Sequence, residues 1–203
     1  MPGRGSIDAR GRTAGWGALV LAGLLLAGGC GRGAEPATRP TASASSSAPV
    51  VAMRLEKPEK LLSGWPESMS RTLREPAQKN MGNFKLLLDG EPTSAVGTAY
   101  TTADGQYTAL VSGVTGRVTD PKATLDRIFV NLPRLTGVAP TRPGPLGGEA
   151  RCGKGATQGV NVEVCAWADR YSIGMVTFLG FPKSGSADDM FVRARSQLEH
   201  PVG

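Results

Sequence analysis

Residues 151–179, RCGKGATQGVNVEVCAWADRYSIGMVTFL, decide the fold of this chain. Val162, Val164 and Ala166, then Ile173, Met175, Thr177 and Leu179, recur at every second position. A period of two marks strands with one buried face, so the stretch reads as strand, glycine-rich turn at residues 153–159, strand, tight turn at Asp169, strand. Cys152 and Cys165 lie thirteen positions apart on this hairpin and are the only cysteines beyond residue 30. A hairpin can bring them side by side. Alternation also sets Cys165, Trp167 and Asp169 on one face, with Ala166 and Ala168 on the other. Two readings of that face stand open. Trp167 is a platform for a stacked ligand, with Asp169 and the adjacent Arg170 as polar contacts, or it packs over the cysteines while Asp169 shapes the turn.

Upstream, residues 96–102 read as a strand, Asp104-Gly105 as a hairpin turn, and residues 107–115 as the returning strand. Asp120-Pro121 then supplies a cap followed by a first-turn proline. Leu125, Ile128, Phe129 and Leu132 fall at i, i+3, i+4 and i+7, the apolar stripe of a surface helix. A loop rich in glycine and proline spans residues 137–148. Downstream, Ser186 to Asp189 resembles a capping box. Phe191, Ala194 and Leu198 make the buried stripe of a last helix, with Arg193, Arg195 and Glu199 facing water. Nearer the N-terminus, Met53 and Leu55 suggest a short strand or an extended arm, and Trp65 a core-edge anchor. Met69 and Leu73 suggest a two-turn helix stopped by Pro76, while residues 78–88 fit either helix or strand. The expected architecture is α+β: a mostly antiparallel sheet of about five strands with two main helices packed on one face.

The first residues carry Arg4, Arg10 and Arg12 against Asp8, and residues 15–27 are uncharged and apolar. That is a basic region followed by a run too short to span a bilayer comfortably, the pattern of an export signal over residues 1–29. Leu25-Leu26-Ala27-Gly28-Gly29-Cys30 resembles the lipobox of bacterial lipoproteins. The resemblance implies cleavage before Cys30 and diacylglycerol on its thiol. Residues 30–50 are mostly Gly, Ala, Pro, Thr and Ser without apolar periodicity, which reads as a disordered spacer. Residues 51–203 are then a single globular domain, long enough for one core. Outside the cytosol an even pair of cysteines is most simply a disulfide between Cys152 and Cys165, the alternative being two buried thiols.

The chain carries 23 Lys and Arg against 17 Asp and Glu, a formal charge of +6. Removing residues 1–29 leaves a mild excess spread along the chain, without the density of a nucleic-acid footprint. One histidine, His200, is the fourth residue from the C-terminal end, a poor place for a held catalytic base. No Gly-x-Ser-x-Gly elbow, His-Glu-x-x-His or zinc spacing is present. Gly153-Lys154-Gly155-Ala156 lacks the pattern of a phosphate loop, and the cysteines are too separated for redox work. Acids fall on turns, caps and loops, with no spacing that selects a catalytic pair.

Cys165-Ala166-Trp167-Ala168-Asp169, followed by Gly174-Met175-Val176 and the helix with Arg195, resembles a signature of small exported lipoproteins in high-GC actinobacteria such as Streptomyces. Pro145-Leu146-Gly147-Gly148 ahead of Cys152-Gly153 resembles its companion segment. This uncharacterised family brings no catalytic residues to carry over. Many of its members have histidine where this chain has Arg170. The expectation is a lipid-anchored extracytoplasmic protein, non-enzymatic, without cofactor or metal, binding an envelope protein or a wall component. The alternatives are a hydrolase with paired carboxylates and a binder of a small apolar ligand between sheet and helices.

Overall fold

The computed structural model describes residues 52–62, 64–132, 134–180 and 187–202. The expected signal, the Cys30 lipidation site, the spacer and the Ser186 cap lie outside the described residues. Everything described belongs to one compact unit.

Six antiparallel strands form the central sheet in the order β4-β5-β9-β8-β7-β6. They are β4 (Ser94–Thr101), β5 (Thr108–Thr115), β6 (Thr136–Pro140), β7 (Glu149–Thr157), β8 (Val160–Ala168) and β9 (Ser172–Leu179). The alternation in residues 160–179 is thus realised as a three-stranded meander in the middle of the sheet. β6 was expected as loop. It works as an edge strand because only one of its sides is paired, which tolerates Pro140, and a register shift near Gly137 absorbs the irregular backbone. The first turn is also shorter than expected. Thr157 pairs with Val160, leaving only Gln158 and Gly159, both at positive φ, as a two-residue hairpin loop. Gly153 and Gly155 instead lie within β7. A Cβ on Gly155 would sit 2.9 Å from the Arg134 carbonyl oxygen, so glycine there lets residues 134–138 lie directly on the sheet.

Among the described residues three helices cover the sheet: α1 (Arg71–Lys85), α2 (Pro121–Val130) and α3 (Ala187–Leu198). The two main helices foreseen do not share a face. Leu125 and Ile128 of α2 pack with Val164, Ala166, Ile173 and Met175, whereas Phe191, Ala194 and Leu198 of α3 pack with Cys165, Trp167, Val176 and Phe178. Both faces of the inner strands are apolar, and one layer of helices cannot bury both. α1 runs straight through Pro76, where a stop was expected. Proline removes the hydrogen bond to Thr72, but both residues are exposed and water can serve that carbonyl. Ala77 and Phe84 form its buried stripe, resolving residues 78–85 as helix. Asp120 caps α2 by accepting the Ala123 N–H at 2.9 Å.

The first and last described strands are tied together. β1 (Met53–Leu55) pairs antiparallel with β10 (Glu199–Pro201), and a small β2 (Lys60–Leu61) and β3 (Trp65–Pro66) ribbon closes the α3 side. His200 therefore stands on a paired strand, exposed, with its ring 3.2 Å from the Gln197 carbonyl oxygen.

Candidate functional site

The tight turn between β8 and β9 carries a dense hydrogen-bond network. Asp169 Oδ1 accepts the N–H groups of Tyr171 (2.7 Å) and Ser172 (2.8 Å). Its Oδ2 accepts the Ser172 hydroxyl and Arg195 Nη2, each at 2.7 Å. Arg195 also donates from Nε to Glu199 Oε2 (2.7 Å) and from Nη1 to the carbonyls of Pro143 (3.0 Å) and Gly147 (2.7 Å). One buried guanidinium thus joins the turn, the loop before β7, α3 and β10. Such a charge is tolerated inside because most of its donors are satisfied and two carboxylates face it. Burial holds the Glu199 carboxyl above its ordinary range, against the opposing pull of Arg195.

Arg195 and Glu199 were expected to face water and are instead almost fully buried. The helical period already pointed inward, since 191, 195 and 199 are spaced by four; their charge argued the other way. Trp167 is fully buried, its Nε1 donating to Ser172 Oγ at 3.0 Å and its ring 5.3 Å from the Arg195 guanidinium carbon. It has no open face on which a ligand could stack, because α3 covers it. Asp169 is likewise buried, committed to the turn and Arg195. Of the three contact candidates on this stretch only Arg170 is exposed. Cys152 and Cys165 are direct cross-strand partners and form a disulfide.

Among the described residues, two clefts bear on function. The first, about 440 Å³, lies on the α2 side. α1 covers β4 and β5, and α2 covers β8 and β7, so the strip over the lower half of β9 is left uncovered between them. Its lining is mostly aliphatic, with Leu110, Val162, Met175 and Leu179 from the sheet and Leu73 and Leu135 from its walls. Arg134 is the one charged residue lining it, and it is exposed. The second cleft, about 530 Å³, lies at the other end of β9 and is lined by Arg117, Thr119, Arg170 and Tyr171 with Met53 and Val118. The sequence reading allowed an apolar site between sheet and helices without naming its lining, which depends on which helix lies over which strands. It singled out Arg170 of the second cleft but not Arg117, Thr119 or Tyr171, which the fold brings to it from distant positions.

Neither cleft is lined by a carboxylate. The acids with perturbed titration lie elsewhere. Burial raises the Glu163 carboxyl, with Lys154 opposing and Asp188 adding to the rise. Hydrogen bonds from Lys57 and Thr98 hold the Glu67 carboxyl low. Among the described residues one group has metal-ligand geometry, Cys152, Cys165 and Asp188, and two of its three members are spent in the disulfide. Comparison with known proteins finds no matching family model, curated protein or solved structure.

Proposed function

We propose that this chain is a membrane-tethered extracytoplasmic binding module that holds an apolar or amphiphilic small molecule in the cleft over β9. The observation that carries the reading is that cleft. Its 440 Å³ falls within the range of small-molecule sites, its floor is aliphatic, and its single cation is suited to an acidic head group. Export and anchoring through Cys30 rest on the apolar run before that cysteine. The Cys152–Cys165 bond supports them, since disulfides persist in oxidising compartments. A tether of this kind would hold the cleft near a membrane, where amphiphiles are abundant. The hydrolase alternative draws no support from either cleft, because neither offers an acid.

The test is a titration of the full chain with a fluorescent long-chain fatty acid. One saturable site is expected, weakened at least about tenfold in Thr177→Trp, whose indole fills the cleft where Thr177 lines it. Arg134→Gln should weaken the fatty acid but not the matching alcohol. The leader is common to all variants, so it cannot produce a difference between them. Equal binding by wild type and Thr177→Trp would remove the proposal.

A further inference from the structure

We propose that the second cleft is a separate binding site for a phosphate-class anion, held by Arg117 and Arg170. The Gly116 N–H donates to the Tyr171 carbonyl at 2.9 Å and the Val118 N–H to the Arg170 carbonyl at 3.0 Å. These two bonds lay residues 116–118 alongside residues 170–171, so both guanidinium-bearing side chains line one cleft. Both are cations, and the lining contains no carboxylate to offset them. Arg170 makes no ion pair among the described residues. The acid paired with Arg117 is Asp89, at 3.6 Å with both side chains largely exposed, a contact of little energetic weight.

Rigidity supports the same conclusion. Arg170 and Tyr171 sit on the turn that Asp169, Ser172 and the buried Arg195 lock in place. That network spends a buried ion pair on fixing a surface turn, which makes sense if what the turn presents must be held in position. The donor set then selects the ligand. One guanidinium fork suffices for the two oxygens of a carboxylate, whereas two forks with the hydroxyls of Thr119 and Tyr171 match the three or four oxygens of a phosphate group. Met53 and Val118 add an apolar wall that either a free anion or the glycerol part of a lipid head group can lie against.

The experiment follows ³¹P NMR of inorganic phosphate, and separately of short-chain phosphatidylglycerol below its micelle concentration, as the full chain is added. Saturable binding that weakens with added salt is expected. Arg117→Gln combined with Arg170→Gln should lower affinity at least about tenfold. Asp89→Asn should tighten binding no more than slightly, by removing a nearby negative charge. Equal affinity for the two probes identifies a free-anion site, and a preference for the lipid identifies a head-group site; either outcome upholds the proposal. Absence of binding by both probes, or undiminished binding by the double variant, overturns it. Both arginines are exposed, so the variants should keep the wild-type unfolding midpoint. Inorganic phosphate has no apolar part, so this result stands or falls independently of the cleft over β9.

Discussion

At the scale of single residues, the same substitution should have opposite signs at two glycines. Gly174 pairs directly across from Trp167, and a Cβ placed on it would lie 2.1 Å from the indole carbons. The ring cannot retreat, because Phe191 lies against it at 6.0 Å between centroids, Arg195 stacks on it and Ser172 holds its N–H. Gly174→Ala is therefore expected to destabilise the protein by about 3 kcal/mol, at the upper end of the range for overpacked cores. Gly82, exposed within α1, meets nothing within 4 Å. Gly82→Ala should stabilise by roughly 0.5–1 kcal/mol, since alanine loses less backbone entropy in a helix. Urea unfolding of the two variants measures both. Adding Trp167→Leu to Gly174→Ala should recover part of the loss, the coupling expected of residues in contact. If the first variant is neutral, the close approach of indole and backbone is wrong.

At the scale of elements, the β7-β8 hairpin and its disulfide were legible in the sequence because both signals are local. Alternation at Val162, Val164 and Ala166 needs only a neighbouring strand, and two cysteines on a hairpin need only the register that pairs Cys152 with Cys165. The Asp120 cap was legible for the same reason. Elements whose reading depended on distant partners were not. Nothing near Thr136 shows that β7 offers it an edge, nor does anything near Pro76 show that water can reach Thr72. Gly153 and Gly155 look like turn residues until residues 134–138 are seen lying on them. The buried Arg195 and Glu199 were hidden because charge outweighed period when α3 was read alone. The bond itself supports a prediction. Closing a loop of thirteen-residue separation removes unfolded-state freedom worth about 3 kcal/mol. Cys152→Ala with Cys165→Ala, or reduction, should lower the unfolding free energy by about that amount while the sheet keeps its far-ultraviolet dichroism. An unchanged unfolding midpoint, together with two alkylatable thiols in the untreated protein, would contradict it.

At the scale of the whole molecule, acids of opposite character set the pH at which the fold is strongest. Glu67 is held low by Lys57 at 2.7 Å and Thr98 at 2.6 Å. Its contribution is present above the unfolded value of about 4.3 and is lost as pH falls through its lower folded value. Glu199 and Glu163 are raised, chiefly by burial. For a raised acid the folded state binds the extra proton, so stability is greatest below about 4.3 and declines as pH rises toward the folded value. Together these slopes place the maximum in the mildly acidic range, near the ordinary glutamate pKa, and not at neutrality. Urea midpoints taken across pH 3 to 8, at about one-unit steps and with the disulfide intact, should trace that curve. Glu163→Gln and Glu199→Gln should each flatten the decline on the alkaline side, and Glu67→Gln should flatten only the acid side. Glu199 carries the larger structural consequence, because it joins β10 to α3 through Arg195 and faces the same guanidinium as the Asp169 turn. Its deprotonation adds a second negative charge to a buried site that already contains Asp169, and only one cation is there to meet both. A flat profile from pH 5 to 8 in the wild type would mean that Glu199 is not titrating in that window, and the cost assigned to burying it would have to be abandoned.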